Sequence, residues 1–195
     1  MAKSTVGMLE RLGGQIEALA GTDVRQQVMA GSERFTARTK DDVVAIWVKG
    51  AIDRLDSLVP PETGIEIMES CGASCACVNS ASIKKAKERR NKFPSEDSFL
   101  EAEVSTPITG TRLERRGNVL YQSYTPRSYS RPMRCYCTLL WKLPMSETMS
   151  PTYCNCSRGF VKSFWEQVLG RPVEVEVVRS AVTGDTECEF KITLV

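Results

Sequence analysis

The chain has 195 residues, with 26 Lys and Arg against 24 Asp and Glu for a formal charge of +2, 42% hydrophobic residues and 26% charged ones. That suits one globular domain with a sizeable core and gives no field strong enough to argue for nucleic acid. No run nears the roughly 18 apolar residues of a membrane span, and residues 1–14 lack a signal-peptide core, so a cytoplasmic protein is expected.

The first third reads as helical. Leu9, Leu12, Ile16 and Leu19 recur at steps of three and four, and a second helix is expected to follow Thr22 as its cap. Val44, Trp47, Val48, Ala51, Leu55 and Leu58 share the face of a third helix, opened by Asp41 and Asp42 and ended by Pro60-Pro61. The run CGASCAC, Cys71 to Cys77, then reads as a small-residue turn. IKKAKERRNK (Ile83 to Lys92) reads as a solvated helix rather than a nucleic-acid surface, because no aromatics interleave its charges. Ser95 is placed to cap a short helix through Leu100 and Ala102, and Pro107 to Gly110 reads as a linker.

From Thr111 the pattern is strand-like. RLER and VLYQSY flank a hairpin turn at Arg116-Gly117-Asn118, Tyr124 to Pro132 reads as an extended loop, and CYCTLLWKL (Cys135 to Leu143) as a buried strand. Ser157 is placed to cap a helix carrying Phe160, Val161, Phe164, Trp165 and Val168 and closed by Gly170. Val173, Val175 and Val177 alternate with Glu174 and Glu176, and Cys188, Phe190, Ile192 and Leu194 alternate after a turn at Gly184-Asp185, so the two segments are expected to pair as a hairpin. The expected fold class is α+β: N-terminal helices over residues 1–106, then an antiparallel sheet with packed helices over 107–195, integrated into one domain.

Two counts narrow the chemistry: no His and eight Cys. Without imidazole there is no Ser-His or Cys-His nucleophile, and any metal must be held by thiolates or carboxylates. Cys71, Cys75 and Cys77, Cys135 and Cys137, and Cys154 and Cys156 fall in groups that each contain a Cys-x-Cys pair, and Cys188 stands alone. Sixteen residues (138–153) separate the second and third groups, close to the spacing between halves of a zinc ribbon. Residues at i and i+2 of an extended segment point the same way, so each pair is able to present two sulfurs to one point, and Cys71 and Cys75 stand one helical turn apart. Four thiolates at about 2.3 Å would close a tetrahedral zinc shell, and the same set would hold an iron–sulfur cluster. The expected ligands are Cys71, Cys75, Cys135, Cys137, Cys154 and Cys156, with Cys77 and Cys188 less favoured because Cys188 fits the apolar face of its strand. A dithiol redox centre stays open as well.

The C-terminal stretch, with Cys154 and Cys156, Gly159-Phe160, Phe164-Trp165-Glu166, Gly170, the Gly184-Asp185 turn and Cys188-x-Phe190-x-Ile192, resembles the end of vinyl-reductase-type small-molecule-binding domains. The groups CGxxCA at Cys71 and CYC at Cys135 look similar to an uncharacterised cysteine-rich bacterial and archaeal family, and aminothiazoline-carboxylate hydrolases end in a similar hairpin. The resemblance implies a vinyl-reductase-like sandwich around an apolar ligand cavity, sometimes with a cysteine-bound metal nearby.

The expected function is therefore a small-molecule sensor or carrier with structural zinc, binding a small apolar or mixed-polarity ligand, with a homodimer as an open assembly. Tyr136, Trp141, Phe160 and Phe164 are its candidate pocket walls. The alternatives are an iron–sulfur electron carrier, or a cysteine- or metal-dependent hydrolase of a small molecule, in which Cys135, Cys137 or a neighbour attacks the substrate or holds an open metal site, with Glu166 or Asp185 carrying the proton and Arg134 or Arg158 lowering the thiol pKa.

Overall fold

The computed structural model describes residues 5–107, 110–128 and 131–195; part of the expected linker at Pro107 to Gly110 and of the loop at Tyr124 to Pro132 lies outside them. The fold is α+β. Six helices come first: α1 (Thr5–Ala20), α2 (Thr22–Val28), α3 (Asp41–Leu58), α4 (Pro61–Val78), α5 (Ser80–Arg90) and α6 (Glu96–Ser105). The strands β1 (Thr111–Arg116) and β2 (Val119–Tyr124) and the two-residue strands β3 (Arg127–Ser128) and β4 (Arg131–Pro132) follow, then α7 (Asn155–Leu169), β5 (Val173–Arg179) and β6 (Cys188–Leu194). The main sheet is antiparallel in the order β1-β2-β6-β5.

The helical stripes are set by hydrophobic spacing. Leu9, Leu12 and Ile16 are buried on α1, whereas Leu19 emerges at the surface, as does Leu58 at the end of α3. Helix α2 starts at Thr22 itself rather than being capped by it: Gly21 is the N-cap, and the Thr22 hydroxyl donates to Glu17 at 3.3 Å. Pro60 stops α3 and Pro61 opens α4, where a missing N–H costs nothing. Ser95 caps α6 in a reciprocal box with Ser98. In the sheet, Cys188, Phe190, Ile192 and Leu194 all turn inward from β6, and Gly117 has the positive φ (62°) that the tight β1–β2 turn needs.

Three local expectations change. CGASCAC is not a turn but the last two turns of α4, because tertiary contact overrides the weak helix propensity of Gly72. A Cβ on Gly72 would fall 1.9 Å from the Cys156 carbonyl oxygen, and one on Gly159 would fall 2.2 Å from that of Glu69, so α4 and α7 meet backbone to backbone. Residues Cys135 to Leu143 are a series of turns rather than a strand. The Cys137 carbonyl accepts from the N–H groups of Leu140 (2.9 Å) and Trp141 (2.8 Å), and a continuous apolar run buries equally well in that form. Finally, α7 begins at Asn155, behind a 3-10 turn over Pro151–Cys154 capped by Ser150, so Ser157 lies inside the helix and caps nothing.

Among the described residues two cores form. One joins α1, α3 and α4 to Leu139, Leu140, Leu143 and Tyr153; the other joins Phe99 and Leu100 of α6 to α7 and the sheet. Each draws side chains from both sides of residue 106. Arg158 ties the layers, donating to the Val175 carbonyl of β5 at 2.8 Å and lying 2.7 Å from the Glu69 carboxylate of α4.

The glycine contact makes a direct prediction. Gly72→Ala and Gly159→Ala each force the helices apart and lower stability by about 1–3 kcal/mol, the usual cost of overpacking. Gly14→Ala, on an exposed turn of α1 with open space around it, raises stability by roughly 0.5–1 kcal/mol. Urea midpoints of the three variants check both signs.

Candidate functional site

A chamber of about 580 Å3 lies between α7, the inner ends of β1 and β2, and the turns after Arg134. Helix α7 contributes Ser157, Phe160, Val161, Phe164 and Trp165, because residues three and four apart share a helical face. The sheet adds Leu113, Gln122 and Tyr124, and the segment from Cys135 to Thr138 closes a side. The aromatic rings interlock. Phe164 and Trp165 meet edge to face with centroids 5.5 Å apart, Tyr124 lies 5.6 Å from Tyr136 and stacks on Phe190 at 6.0 Å, and the Tyr136 hydroxyl donates to the Thr125 carbonyl at 3.0 Å.

The polar atoms of the wall are partnered from within. The Trp165 indole N–H donates to Gln122 Oε1 at 2.9 Å. Glu103, the one charged residue among those described on the lining, receives both arms of Arg89 at 2.9 and 2.7 Å. Of the four aromatic residues expected from the sequence, Tyr136, Phe160 and Phe164 face the chamber. Trp141 is not among the lining residues: its indole nitrogen is buried and Lys142 sits 4.8 Å above its ring.

A smaller pouch of about 50 Å3 adjoins the chamber, lined by Arg11, Met68, Cys71 and Tyr153, and the two share Met8, Cys75, Cys137 and Cys156. Sulfur therefore dominates the common wall. The Tyr153 hydroxyl donates to Cys137 Sγ at 3.2 Å, and Asn79 Nδ2 reaches Cys75 Sγ at 3.5 Å. Cys154 turns away, its sulfur 2.6 Å from the Ser180 hydroxyl and near Cys188, while Cys135 lies between the two groups and Cys77 is exposed on the far side of α4. No disulfide joins any of the eight.

Burial governs the protonation of these sulfurs. It lifts the Cys71 thiol from 9.0 to about 12 although the Arg11 cation pulls the other way, and the Cys154 thiol to about 11 against the Ser180 hydrogen bond. Cys135 and Cys156 are driven well above the ordinary thiol value, again first by burial and then by neighbouring sulfurs.

The zinc shell and the iron–sulfur alternative do not survive this geometry. Among the described residues no group of three or more Cys, Asp or Glu side chains is placed to hold a metal ion. The reason is local. The pairing argument needs extended backbone, but Cys154 ends a 3-10 turn and Cys156 opens α7, so their sulfurs diverge. Cys135 and Cys137 sit in turns, with the Cys137 N–H folded back on Cys135 Sγ at 3.3 Å.

The groups named for an enzyme are also dispersed. Glu166 and Asp185 do not appear on the chamber lining. Arg134 is buried with its two terminal nitrogens on the carbonyls of Ala181 and Met145, and Arg158 is committed to Val175 and Glu69. The sequence signal missed Met8, Arg11, Gln122 and Tyr153, which reach the site from helices and strands whose patterns speak only of core packing.

A thiol raised on folding stabilises the folded chain fully only below its ordinary pKa. The protein is therefore expected to hold constant stability up to about pH 9 and to lose it as pH climbs toward 12, by at most about 1.4 kcal/mol per pH unit for each such thiol. Urea midpoints measured across that range check this, and Cys71→Ser flattens the decline.

No curated protein matches the chain significantly. Among solved structures, an H-NOX protein from S. oneidensis in its Fe(II)NO state is similar at a TM-score of 0.47 with 12% identity, over 96% of this chain and 97% of that one. The H-NOX domain of Shewanella oneidensis in its Fe(II)CO state gives 0.44 with 13% identity, over 96% and 97%. A likeness at that level carries no residue or ligand from those proteins to this chain. No group of three or more Cys, Asp or Glu side chains that could hold a metal ion occurs among the described residues, so zinc and iron–sulfur are both withdrawn. Helices among the described residues are all too short or too polar to cross a membrane. One family profile matches residues 10–195, which replaces the resemblance to vinyl-reductase-type domains and to aminothiazoline-carboxylate hydrolases. The chain belongs to DUF6144, a family of unknown function.

Proposed function

We propose that this protein binds a small, uncharged, largely apolar molecule in the chamber beside α7. The observation that carries the reading is the chamber itself. Its volume of about 580 Å3 falls within the range of small-molecule sites, and the surface of its wall is mostly apolar, supplied by aromatic rings, aliphatic groups and sulfur beside a few polar side chains. The charge of the ligand follows from the lining. Glu103 is already neutralised by Arg89, so an ionic ligand would bury its charge without a counter-ion, at a cost of several kcal/mol. Selectivity then rests on shape, on the edges of Phe160 and Phe164, and on the amide of Gln122.

This reading supports a carrier or sensor over an enzyme, because among the described residues the chamber brings no base beside a nucleophile. Titration with a neutral solvatochromic dye such as Nile red is expected to show saturable one-to-one binding. Ser157→Phe, which fills the chamber from the first turns of α7, weakens that binding about tenfold, equivalent to about 1.4 kcal/mol. Equal dye affinity in both proteins would remove the chamber from consideration. Trp165→Phe should leave the dye bound but shift its emission, since it frees the Gln122 carbonyl oxygen.

A further inference from the structure

We propose that Cys137 and Cys156 are a reversible dithiol–disulfide pair, oxidised by hydrogen peroxide admitted to the pouch behind the chamber. The inference does not depend on the chamber holding a ligand.

Three observations carry it. First, four cysteines from three separate segments (Cys71 and Cys75 of α4, Cys137 of the turns, Cys156 of α7) face one pouch, and none is bridged. Independent burial of small apolar residues gives no reason for four sulfurs to share a cavity of about 50 Å3. Second, Cys156 is the hub of the group. After burial, the neighbouring sulfurs act on its thiol, Cys137 first and then Cys71, Cys135 and Cys75, and Tyr153 lies near both Cys137 and Cys156. Two sulfurs are sufficient for a disulfide, whereas a metal shell needs three or four directed at one point. Third, the groups around the sulfurs are donors. Tyr153 O–H points at Cys137, Asn79 N–H at Cys75, and the Arg11 guanidinium stands beside Cys71, all of which favour sulfur carrying negative charge during attack.

The pouch also sets the oxidant. Its volume suits a molecule the size of one or two waters, which admits hydrogen peroxide to the sulfurs on that side. Cys137, which receives the Tyr153 hydrogen bond, attacks one peroxide oxygen as thiolate. The S–O bond forms, the O–O bond breaks, and the departing hydroxide takes the thiol proton as water. The Cys156 sulfur then displaces that bound oxygen from Cys137 as hydroxide: the S–S bond forms, the S–O bond breaks, and the hydroxide takes the Cys156 proton as a second water. Two thiols and one peroxide give one disulfide and two waters.

The test uses the full chain. Reduced protein is treated with hydrogen peroxide, unfolded in iodoacetamide to cap the remaining thiols, and cut with trypsin. Cleavage after Arg134, Lys142 and Arg158 leaves Cys135 and Cys137 on one peptide and Cys154 and Cys156 on another, and fragmentation assigns the sulfur within each. The expected result is a linked peptide pair joined through Cys137 and Cys156, with six thiols still capped and full reversal by dithiothreitol. Its rate rises about tenfold per pH unit while the thiols remain mostly protonated. Cys156→Ser is expected to stop the link and leave Cys137 as a sulfenic acid, trapped by dimedone present during unfolding. A bridge mapped to any other pair overturns the proposal, as does uniform capping of all eight cysteines after peroxide. The wild-type map decides the matter even if the variant fails to fold.

Discussion

The contact on which the rest depends is the meeting of α4 and α7 through Gly72 and Gly159. With no Cβ on either residue, each backbone lies against a carbonyl of the other helix. Close packing of that kind leaves no slack: interiors are packed like crystals, and one methyl group is felt throughout. The crossing fixes where the first turn of α7 stands relative to the last turns of α4, and so brings Cys156 beside Cys71 and Cys75. It also presents Phe160, Phe164 and Trp165 to the open side of the sheet, where β1 and β2 supply the opposite wall. Chamber and sulfur wall are two sides of one helix crossing.

That geometry also explains why the sulfurs divide. On a helix, residues two apart point to opposite sides, whereas on a strand they point the same way. Cys154 and Cys156 straddle the start of α7, so one sulfur reaches Ser180 and Cys188 and the other reaches the pouch. Cys75 and Cys77 part in the same way, one to the pouch and one to solvent. A doubled cysteine is thus evidence for a cation shell only after its backbone is known to be extended.

Most of the framework was legible from the chain. The stripes Leu9-Leu12-Ile16 and Val44 to Leu55, the Ser95 cap, the β1–β2 turn and the alternation of β5 and β6 all follow from spacing and from turn chemistry, which are local. What the chain did not disclose is non-local. Gly72 looks like a helix breaker until α7 is known to lie against it. CYCTLLWKL is apolar without alternation, a pattern that serves a strand and a set of buried turns equally. Tyr136, Phe160 and Phe164 announced an aromatic wall by composition, but Trp141, equally apolar, points elsewhere, because direction in a series of turns is set by hydrogen bonds such as those to the Cys137 carbonyl.

Burial of the sulfurs and neutrality of the chamber have a common cause. The same exclusion of water that gives an apolar ligand its hydrophobic gain also holds Cys135 and Cys156 in their protonated form, since a thiolate there would lose its hydration without gaining a cation. Glu103 is instead paired with Arg89, which reaches in from α5 with two charge-assisted bonds. The wall therefore offers an entering molecule soft, polarisable sulfur and aromatic faces rather than fixed charge. Dispersion and shape are what such a surface rewards, and these scale with the number of atoms in contact rather than with any single bond.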